Sequence, residues 1–162
     1  MNAKGSVFKY PDNVDTDVII PARHLNTQDA KELAAHCMED IDKDFIHNVK
    51  DGDIMVGGWN FGCGSSREQA PEIIKALGIS CVIAKSFARI FFRNSINNGL
   101  LLIEQPDLHD DIKEGDAITV KMNEHVDYNG KTYPIAALPE NLMDIIQAGG
   151  LVKAMRKRNG LD

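Results

Sequence analysis

The sequence predicts an α/β domain built around one mixed sheet, and three observations support this prediction. Short apolar runs typical of buried strands alternate with segments of helical periodicity in the middle of the chain. An Asn-Gly pair at positions 129 and 130 predicts a β-hairpin farther on, which requires antiparallel strands. The chain has 162 residues, the length of one domain with a sizeable hydrophobic core. We therefore expect residues 1–162 to form a single domain.

Each predicted element follows from a local pattern. The strand-like runs are rich in Val, Ile and Leu, and glycines or prolines bound most of the helical segments. In the first long helical segment, the apolar spacing directs Leu33, Ala34, Cys37 and Met38 inward. Strands are predicted at 5–10, 53–61, 79–84, 100–104, 116–122 and 131–135, and helices at 28–39, 67–77, 86–99 and on both sides of Gly149-Gly150.

Charge, hydropathy and cysteine content exclude several classes of protein. A net charge of −6 argues against a nucleic-acid-binding protein, which needs a basic face. No apolar run approaches the roughly 18 residues of a membrane span. Residues 1–13 also lack the apolar core of a signal peptide, so we expect a cytoplasmic protein. Since Cys37, Cys63 and Cys81 form no Cys-x-x-Cys pair, we expect no disulfide framework and no metal bound by this chain.

The stretch NFGCGSSREQAP, residues 60–71, has the composition of an anion-binding site. Gly62 and Gly64 let the backbone approach a ligand closely. A strand that turns here into a helix directs free backbone N–H groups and the positive end of the helix dipole at one point. Ser65 and Ser66 can donate hydrogen bonds, and Arg67 can bind a carboxylate with two parallel bonds. The expected guest is therefore a carboxylate or a phosphate.

Two other interpretations apply to the same stretch. Ser65 with Glu68, and Ser66 with Gln69, match the capping-box spacing, so that the serines could simply cap the next helix. Cys63 near a helix N-terminus could be a nucleophile with a lowered pKa. That role needs a positioned histidine, and most lone cysteines are small buried hydrophobes, so we assign Cys63 no role.

The stretch DNVDTDVIIPARHL, residues 12–25, raises a similar question. Asn13, Asp15 and Asp17 alternate like calcium ligands, but Val18 stands where a calcium loop has glycine. An Asx-type turn that starts a strand is the structural interpretation. The functional one is that Arg23 supplies a second positive group to the anion site of residues 60–71.

These two stretches, followed by SFARIFFRNSINNGL at residues 86–100, together carry a resemblance to a known family. They occur in the family's order, and the likeness extends over essentially the whole chain. The chain resembles the small subunits of 3-isopropylmalate dehydratase, which are counterparts of the swivelling C-terminal domain of aconitase. The resemblance implies a single mixed-sheet swivelling β/β/α domain that works beside a large subunit.

The resemblance also implies roles for individual residues. Ser65 would be the base that removes the proton next to a carboxylate. Ser66 and Arg67 would hold one substrate carboxylate, and Arg23 another. A [4Fe–4S] cluster is expected on the large subunit, and no cofactor on this chain. The expected activity is a hydro-lyase reaction on a small dicarboxylate or tricarboxylate. We expect this activity only when the chain is in complex with the large subunit. No membrane and no nucleic acid is expected as a partner.

Substrate choice within the family resides in the segment that follows Arg23. It is formed here by His24, Leu25, Asn26 and Thr27, and no cationic residue other than histidine occurs before Lys31. This absence favours an apolar branch over a further carboxylate, so we expect 2-isopropylmalate and 3-isopropylmalate of leucine biosynthesis. Homoaconitase and 2,3-dimethylmalate dehydratase small subunits are the alternative enzymes. A stand-alone module that binds small acids is the non-enzymatic alternative.

Overall fold

The computed structural model describes residues 2–160 and contains one seven-stranded sheet. Its strands are β1 (Asn2–Lys9), β2 (Ile54–Gly57), β3 (Cys81–Ala84), β4 (Leu101–Glu104), β5 (Ala117–Lys121), β6 (His125–Tyr128) and β7 (Lys131–Pro134). In space they follow the order β4-β3-β2-β1-β5-β6-β7. Strands β1 to β4 are parallel, and β1, β5, β6 and β7 pair in antiparallel fashion. The predicted mixed α/β sheet is therefore confirmed.

The helices lie between and after these strands. They are α1 (Thr16–Ile19), α2 (Ala30–Ala34), α3 (Phe45–Asn48), α4 (Gln69–Ala76), α5 (Arg89–Asn97), α6 (Leu108–Asp111), α7 (Glu140–Ala148) and α8 (Leu151–Arg158), with a 3-10 helix at Ala22–His24. Among residues 2–160, none of these helices combines the length and the apolar character needed to cross a bilayer. The predicted pair of tail helices on both sides of Gly149-Gly150 is confirmed.

Strand β1 is the link between the parallel and antiparallel halves of the sheet. Its first part pairs with β5, from Asn2 opposite Lys121 onward. Its second part pairs with β2, beginning at Val7 opposite Ile54. At Gly5 a Cβ atom would lie 2.2 Å from a backbone oxygen of the chain segment before β2, so only glycine fits where the partner changes.

The parallel strands separate two hydrophobic cores because alternate side chains point to opposite faces. On one face, Phe8, Met55 and Val82 form the first core together with residues of α2 and α4. On the other face, residues such as Val7 and Ile54 form the second core with side chains of β5, β6, β7 and α7. Burial on both faces explains why these strands read as continuous apolar runs.

The segment predicted as a helix over 28–39 contains only the short α2. The chain leaves the helix after Ala34, passes through turns, and reaches a positive φ of 62° at Met38. There the Met38 amide donates to the Ile19 carbonyl, so a tertiary bond replaces the helical one. The inward direction of Leu33, Ala34, Cys37 and Met38 is nevertheless confirmed, since all four are buried.

Two further local predictions have opposite outcomes. The hairpin at 129–130 is confirmed: Asn129 and Gly130 have φ values of 50° and 79°, as a two-residue type I′ turn requires. The strand expected to follow Asp15 is wrong. The Asp15 carboxylate accepts a hydrogen bond from the Val18 amide at 2.8 Å and thereby caps α1 instead.

Phe45→Ala is expected to lower the free energy of unfolding by about 3–5 kcal/mol, the usual cost of removing a buried aromatic ring. Phe45 is fully buried in the first core and packs edge-on against Phe8, with ring centroids 4.8 Å apart. Urea unfolding followed by circular dichroism measures the change. Ile41→Ala is the control, because Ile41 is 47% exposed and its loss should cost no more than about 0.5 kcal/mol. Equal losses for both variants would contradict the assignment of Phe45 to the core.

Candidate functional site

The predicted anion-binding loop lies at the carboxyl edge of the parallel strands. Strands β1, β2 and β3 all end at this edge, and the segments that follow them pair with one another. Asp15 forms an isolated bridge with Cys63, and Phe61 forms one with Phe87. Ligands of open α/β sheets bind in crevices of this kind, outside the carboxyl ends of strands.

The loop from Gly62 to Arg67 depends on glycine. Gly62 and Gly64 have φ values of 85° and 89°, in the left-handed region. A Cβ atom at Gly62 would lie 2.1 Å from the Phe91 side chain, so the backbone packs directly against α5. The sequence predicted that glycine would let the backbone come close to a ligand. At Gly62 the absence of a side chain lets the backbone come close to helix α5.

The serines do not cap helix α4, so the capping-box interpretation is wrong. The helix begins at Gln69 rather than Arg67, and its N-cap is Glu68, which makes no side-chain capping bond. The Ser66 hydroxyl lies 3.3 Å from the Asn94 side-chain amide of α5, which donates to it. The exposed Ser65 side chain makes no hydrogen bond to any residue in the described range 2–160. Its hydroxyl is therefore available to a ligand.

The backbone at Ser65 is held by the turn that follows β1. The buried Thr16 hydroxyl donates to the Ser65 carbonyl at 2.6 Å, and the Thr16 amide donates to the Cys63 carbonyl at 2.9 Å. In the reverse direction, the Gly62 amide donates to the Val14 carbonyl at 2.7 Å. These three bonds fix the loop against the buried residues Val14 and Thr16 of the turn after β1.

Arg67 is anchored at one end of its guanidinium group. Its Nη1 donates to the Ile20 carbonyl at 2.7 Å and to the Asp17 carboxylate at 3.0 Å, and its side chain is only 15% exposed. The hydrogen bond from the Ala22 amide, followed by that from Arg67, lowers the pKa of the Asp17 carboxyl. Since a guanidinium carries five N–H donors, Arg67 keeps donors for an anionic ligand.

Ser65, Ser66 and Arg67 line one cavity of about 330 Å³. The opposite wall is the beginning of α5, with Arg89, Phe91 and Asn94 among its side chains. The first-turn amides of a helix have no intrahelical acceptor and carry the positive end of the dipole. Two arginines and this helix end make the cavity suitable for an anion, although the chain as a whole carries a net charge of −6.

The helix that faces this cavity is not the one that the sequence predicted. The expectation placed the N-terminus of the following helix, α4, at the site, but the cavity is lined by the beginning of α5. Thr16, Arg89 and Asn94 also lie outside the set of residues predicted for the site. The Asp-Thr-Asp sequence around Thr16 was the available signal, but it indicated only a turn.

A second cavity, of about 370 Å³, lies on the other side of Arg89. Its walls come from α5, β4 and the segment after β7, and most of its side chains are apolar, such as Phe92, Leu102 and Met122. Among the described residues, none that lines it carries a serine or threonine hydroxyl. The smaller cavity, which adds the Ser65 and Ser66 hydroxyls and Arg67 to Arg89, therefore suits a carboxylate better.

Arg23 lies in the 3-10 helix Ala22–His24 and does not line the cavity of Ser65. Its guanidinium binds the Asp40 carboxylate with two bonds, of 2.6 and 3.2 Å, and lies 3.4 Å from Glu39. The Arg23 hydrogen bond lowers the pKa of the Asp40 carboxyl. The structure thus brings Ser65, Ser66 and Arg67 together in one cavity, whereas Arg23 lies outside this cavity in an ion pair with Asp40.

The predicted specificity segment lies beside Arg23. His24 binds the Glu39 carboxylate, and Leu25 packs against the first core. Asn26 is exposed, and the Thr27 hydroxyl accepts a hydrogen bond from the Asp29 amide at 3.1 Å. None of these four side chains lines the cavity of Ser65.

The three cysteines do not fit an iron–sulfur cluster. Cys37 lies in the first core and Cys81 in the second, on opposite faces of the sheet, and both are fully buried. Burial raises the pKa of the Cys81 thiol to about 12 and that of Cys37 farther still. Burial and the nearby Asp15 carboxylate also raise the pKa of Cys63, which argues against a reactive thiolate there.

Comparisons with known proteins agree with this architecture. The model of the aconitase C-terminal domain family matches residues 27–108. The 3-isopropylmalate dehydratase small subunit of Lachnospira eligens is 60% identical over 100% of both chains. That of Helicobacter hepaticus is 56% identical over 98% of both.

A solved structure gives the same result in three dimensions. The crystal structure of a 3-isopropylmalate dehydratase from Methanocaldococcus jannaschii superposes with a TM-score of 0.94 at 48% sequence identity, covering 99% of this chain and 97% of that one. Likeness in both sequence and fold extends over essentially the whole length. The chain therefore belongs to the family of 3-isopropylmalate dehydratase small subunits, within the aconitase superfamily.

Proposed function

We propose that this chain is the proton-transferring and carboxylate-binding half of a hydro-lyase that interconverts 2-isopropylmalate and 3-isopropylmalate in leucine biosynthesis. The observation that carries the proposal is the cavity in which Ser65, Ser66 and Arg67 face the beginning of α5. It combines the Ser65 hydroxyl, which has no hydrogen-bond partner among residues 2–160, with the Ser66 hydroxyl and fixed positive charge. A dicarboxylic acid requires these groups for binding and for removal of a proton next to a carboxylate.

Ser65 is the proposed base. A serine hydroxyl is far too weak a base in water, so it has to ionise in a closed site beside positive charge. Arg67 and the α5 amides supply that charge here, and the Thr16 hydrogen bond holds the Ser65 backbone in place. The proton taken from one carbon resides on Ser65 Oγ while the hydroxyl group leaves the adjacent carbon, where the cluster of the large subunit would accept it. Rehydration then exchanges the two positions: the proton goes from Ser65 Oγ to the adjacent carbon, and a hydroxyl group adds to the carbon that first lost the proton.

Exclusion of water is the contribution that this chain cannot make alone. The Ser65 and Ser66 side chains are exposed in the isolated chain. Covering them with a large subunit would remove the water that competes for the hydroxyls and would strengthen every electrostatic interaction inside. Because the cysteines of this chain do not fit a [4Fe–4S] cluster, we assign the cluster to the large subunit.

Arg67 and Ser66 are the proposed carboxylate ligands, and Arg23 is proposed to bind the second carboxylate in the assembled enzyme. Asp17 connects the two arginines, since it accepts from Arg67 Nη1 and from the Ala22 amide beside Arg23. For Arg23 to bind substrate, a substrate carboxylate would have to replace Asp40 as its partner. The exchange replaces one charge-assisted pair by another of the same kind.

The direct test is to combine the chain with a cluster-bearing large subunit and measure turnover. 2-Isopropylmalate, homoaconitate and 2,3-dimethylmalate are compared in parallel, each with the two subunits together and apart. Turnover of 2-isopropylmalate by the complex alone would support the proposal. Preference for another acid would move the chain to one of the alternative enzymes. A complex with an intact cluster that turns over no acid would contradict the enzymatic role.

Ser65→Ala is expected to lower kcat about 10²- to 10⁴-fold, the usual contribution of a general base. The complex should still form, because the Thr16 bond to residue 65 involves only the backbone carbonyl. Steady-state kinetics of the complex give kcat, and gel filtration shows assembly. Ser6→Ala is the control, since Ser6 is exposed on β1 and its side chain makes no hydrogen bond to a described residue. Near wild-type turnover of Ser65→Ala would refute the base assignment.

Arg67→Lys is expected to raise KM roughly 10- to 100-fold, because lysine keeps the charge but loses a charge-assisted bidentate bond worth about 1.5–3 kcal/mol. The same substitution at Arg93, which is exposed on α5, should leave KM unchanged. Initial rates at varied isopropylmalate concentration measure both. If Arg67→Lys lowered kcat with no change of KM, Arg67 would act in the transition state rather than as a carboxylate ligand.

Arg23→Ala is expected to raise KM by a similar factor, whereas Asp40→Asn should leave KM unchanged or lower it. Asp40 competes with the substrate for the same guanidinium group, so its neutralisation weakens only the competitor. Kinetics of the two variants in the complex decide the point. An increase of KM in Asp40→Asn as large as that in Arg23→Ala would show that the ion pair is needed for the fold of this segment.

A further inference from the structure

Two histidines and a glutamate form a compact cluster outside the cavity of Ser65. His24 ends the 3-10 helix, while His36 and Glu39 lie in the turns after α2. His24 Nε2 and His36 Nδ1 both approach Glu39 Oε1, the latter at 3.1 Å. The two imidazole rings are stacked, with centroids 3.7 Å apart and an angle of 8° between their planes.

The backbone brings these residues together over a considerable sequence distance. The Met38 amide donates to the Ile19 carbonyl at 3.0 Å, which places the turns after α2 beside the chain that leads to His24. Burial raises the pKa of the Glu39 carboxyl, but hydrogen bonds from His36 and His24 outweigh burial and lower it. Glu39 is therefore an anion with two imidazole neighbours.

The three donor atoms lie close enough together to reach one metal ion after a rotation of one ring. An imidazole nitrogen binds a metal through a lone pair in the plane of its ring, so one of the two stacked, half-exposed rings has to turn before both can bind the same ion. One donor atom from each of the three residues lies within 4.8 Å of the other two. Metal–nitrogen and metal–oxygen distances of about 2.0–2.2 Å place donors of one tetrahedral site roughly 3–4 Å apart. The side chains are between 21% and 42% exposed, so an ion and a water ligand have access from solvent.

We propose that His24, His36 and Glu39 bind a divalent transition-metal ion of the Zn²⁺ class, with water in the remaining position. Two imidazoles and one carboxylate suit Zn²⁺ and exclude a dedicated Mg²⁺ or Ca²⁺ site, because those ions prefer oxygen ligands. Arg23 lies 3.4 Å from Glu39, but its charge is largely balanced by the bidentate bond to Asp40.

The proposed ion would join the specificity segment to the turns after α2. His24 is the first residue of that segment and directly follows Arg23. Coordination by residues 24, 36 and 39 would fix the beginning of the segment and would hold the Arg23 backbone near Asp40. This site is distinct from the cluster assigned to the large subunit and requires no dehydratase activity for its detection.

The alternative is a hydrogen-bonded network without an ion, in which each imidazole donates to Glu39. Metal titration of the isolated full-length chain distinguishes the two. After removal of metals with a chelator, the chain is titrated with Co²⁺, followed by visible absorption, and with Zn²⁺ in competition with a chromophoric chelator. We expect saturation at one ion per chain.

His24→Ala, His36→Ala and Glu39→Gln should each weaken Zn²⁺ binding about tenfold or more, since even the residues behind metal ligands contribute about 10- to 100-fold. His47→Ala is the matched control, because His47 is exposed on α3 and is not part of the cluster. Circular dichroism verifies that each variant is folded. Unchanged affinity in the three cluster variants would overturn the proposal. So would the absence of stoichiometric binding, or a near-ultraviolet cobalt–thiolate band, which would place the ion on Cys63.

Discussion

Three hydrogen bonds between the turn after β1 and the loop after β2 hold the candidate site together. The loop contains two glycines in left-handed conformations and two exposed serines, so its side chains contribute little packing. The amide and hydroxyl of Thr16 bind the carbonyls of Cys63 and Ser65, and Val14 accepts from the Gly62 amide. Because Thr16 is almost fully buried, water cannot compete for these bonds. The exposed hydroxyls of Ser65 and Ser66 thus belong to a loop whose backbone is held in place by hydrogen bonds to buried residues.

Asp17 extends this arrangement to the two arginines. It anchors one end of the Arg67 guanidinium group, and it accepts from the amide that precedes Arg23. One acidic residue therefore orients a cation toward the cavity and also shapes the 3-10 helix that carries the other cation. In the isolated chain, the proposed carboxylate ligands Ser66 and Arg67 line the cavity, whereas Arg23 is paired with Asp40.

Local chemistry made most of the strands and the hairpin predictable from the sequence, and it pointed to the loop whose Ser65, Ser66 and Arg67 line one cavity. Asn129-Gly130 specifies its turn through backbone conformation alone. Features that depend on distant partners were not predictable. Helix α2 ends early because the Met38 amide finds the Ile19 carbonyl, and the helix facing Ser65 is α5 because strand order brings the two segments together. Nothing in the spacing of His24 and His36 indicates that their rings stack.

The divided pairing of β1 also determines when the chain can complete its fold during synthesis. Residues 2–6 are made long before their partner β5, which comes only with residues 117–121. Until then, this part of β1 is an unpaired edge, which is prone to pair with other chains. Pairing of β1 with β5 also requires closure of a long loop. The entropy cost of this closure comes before the contacts between the two strands compensate for it, and this slows folding. During synthesis, this part of β1 therefore stays without its sheet partner until β5 has left the ribosome.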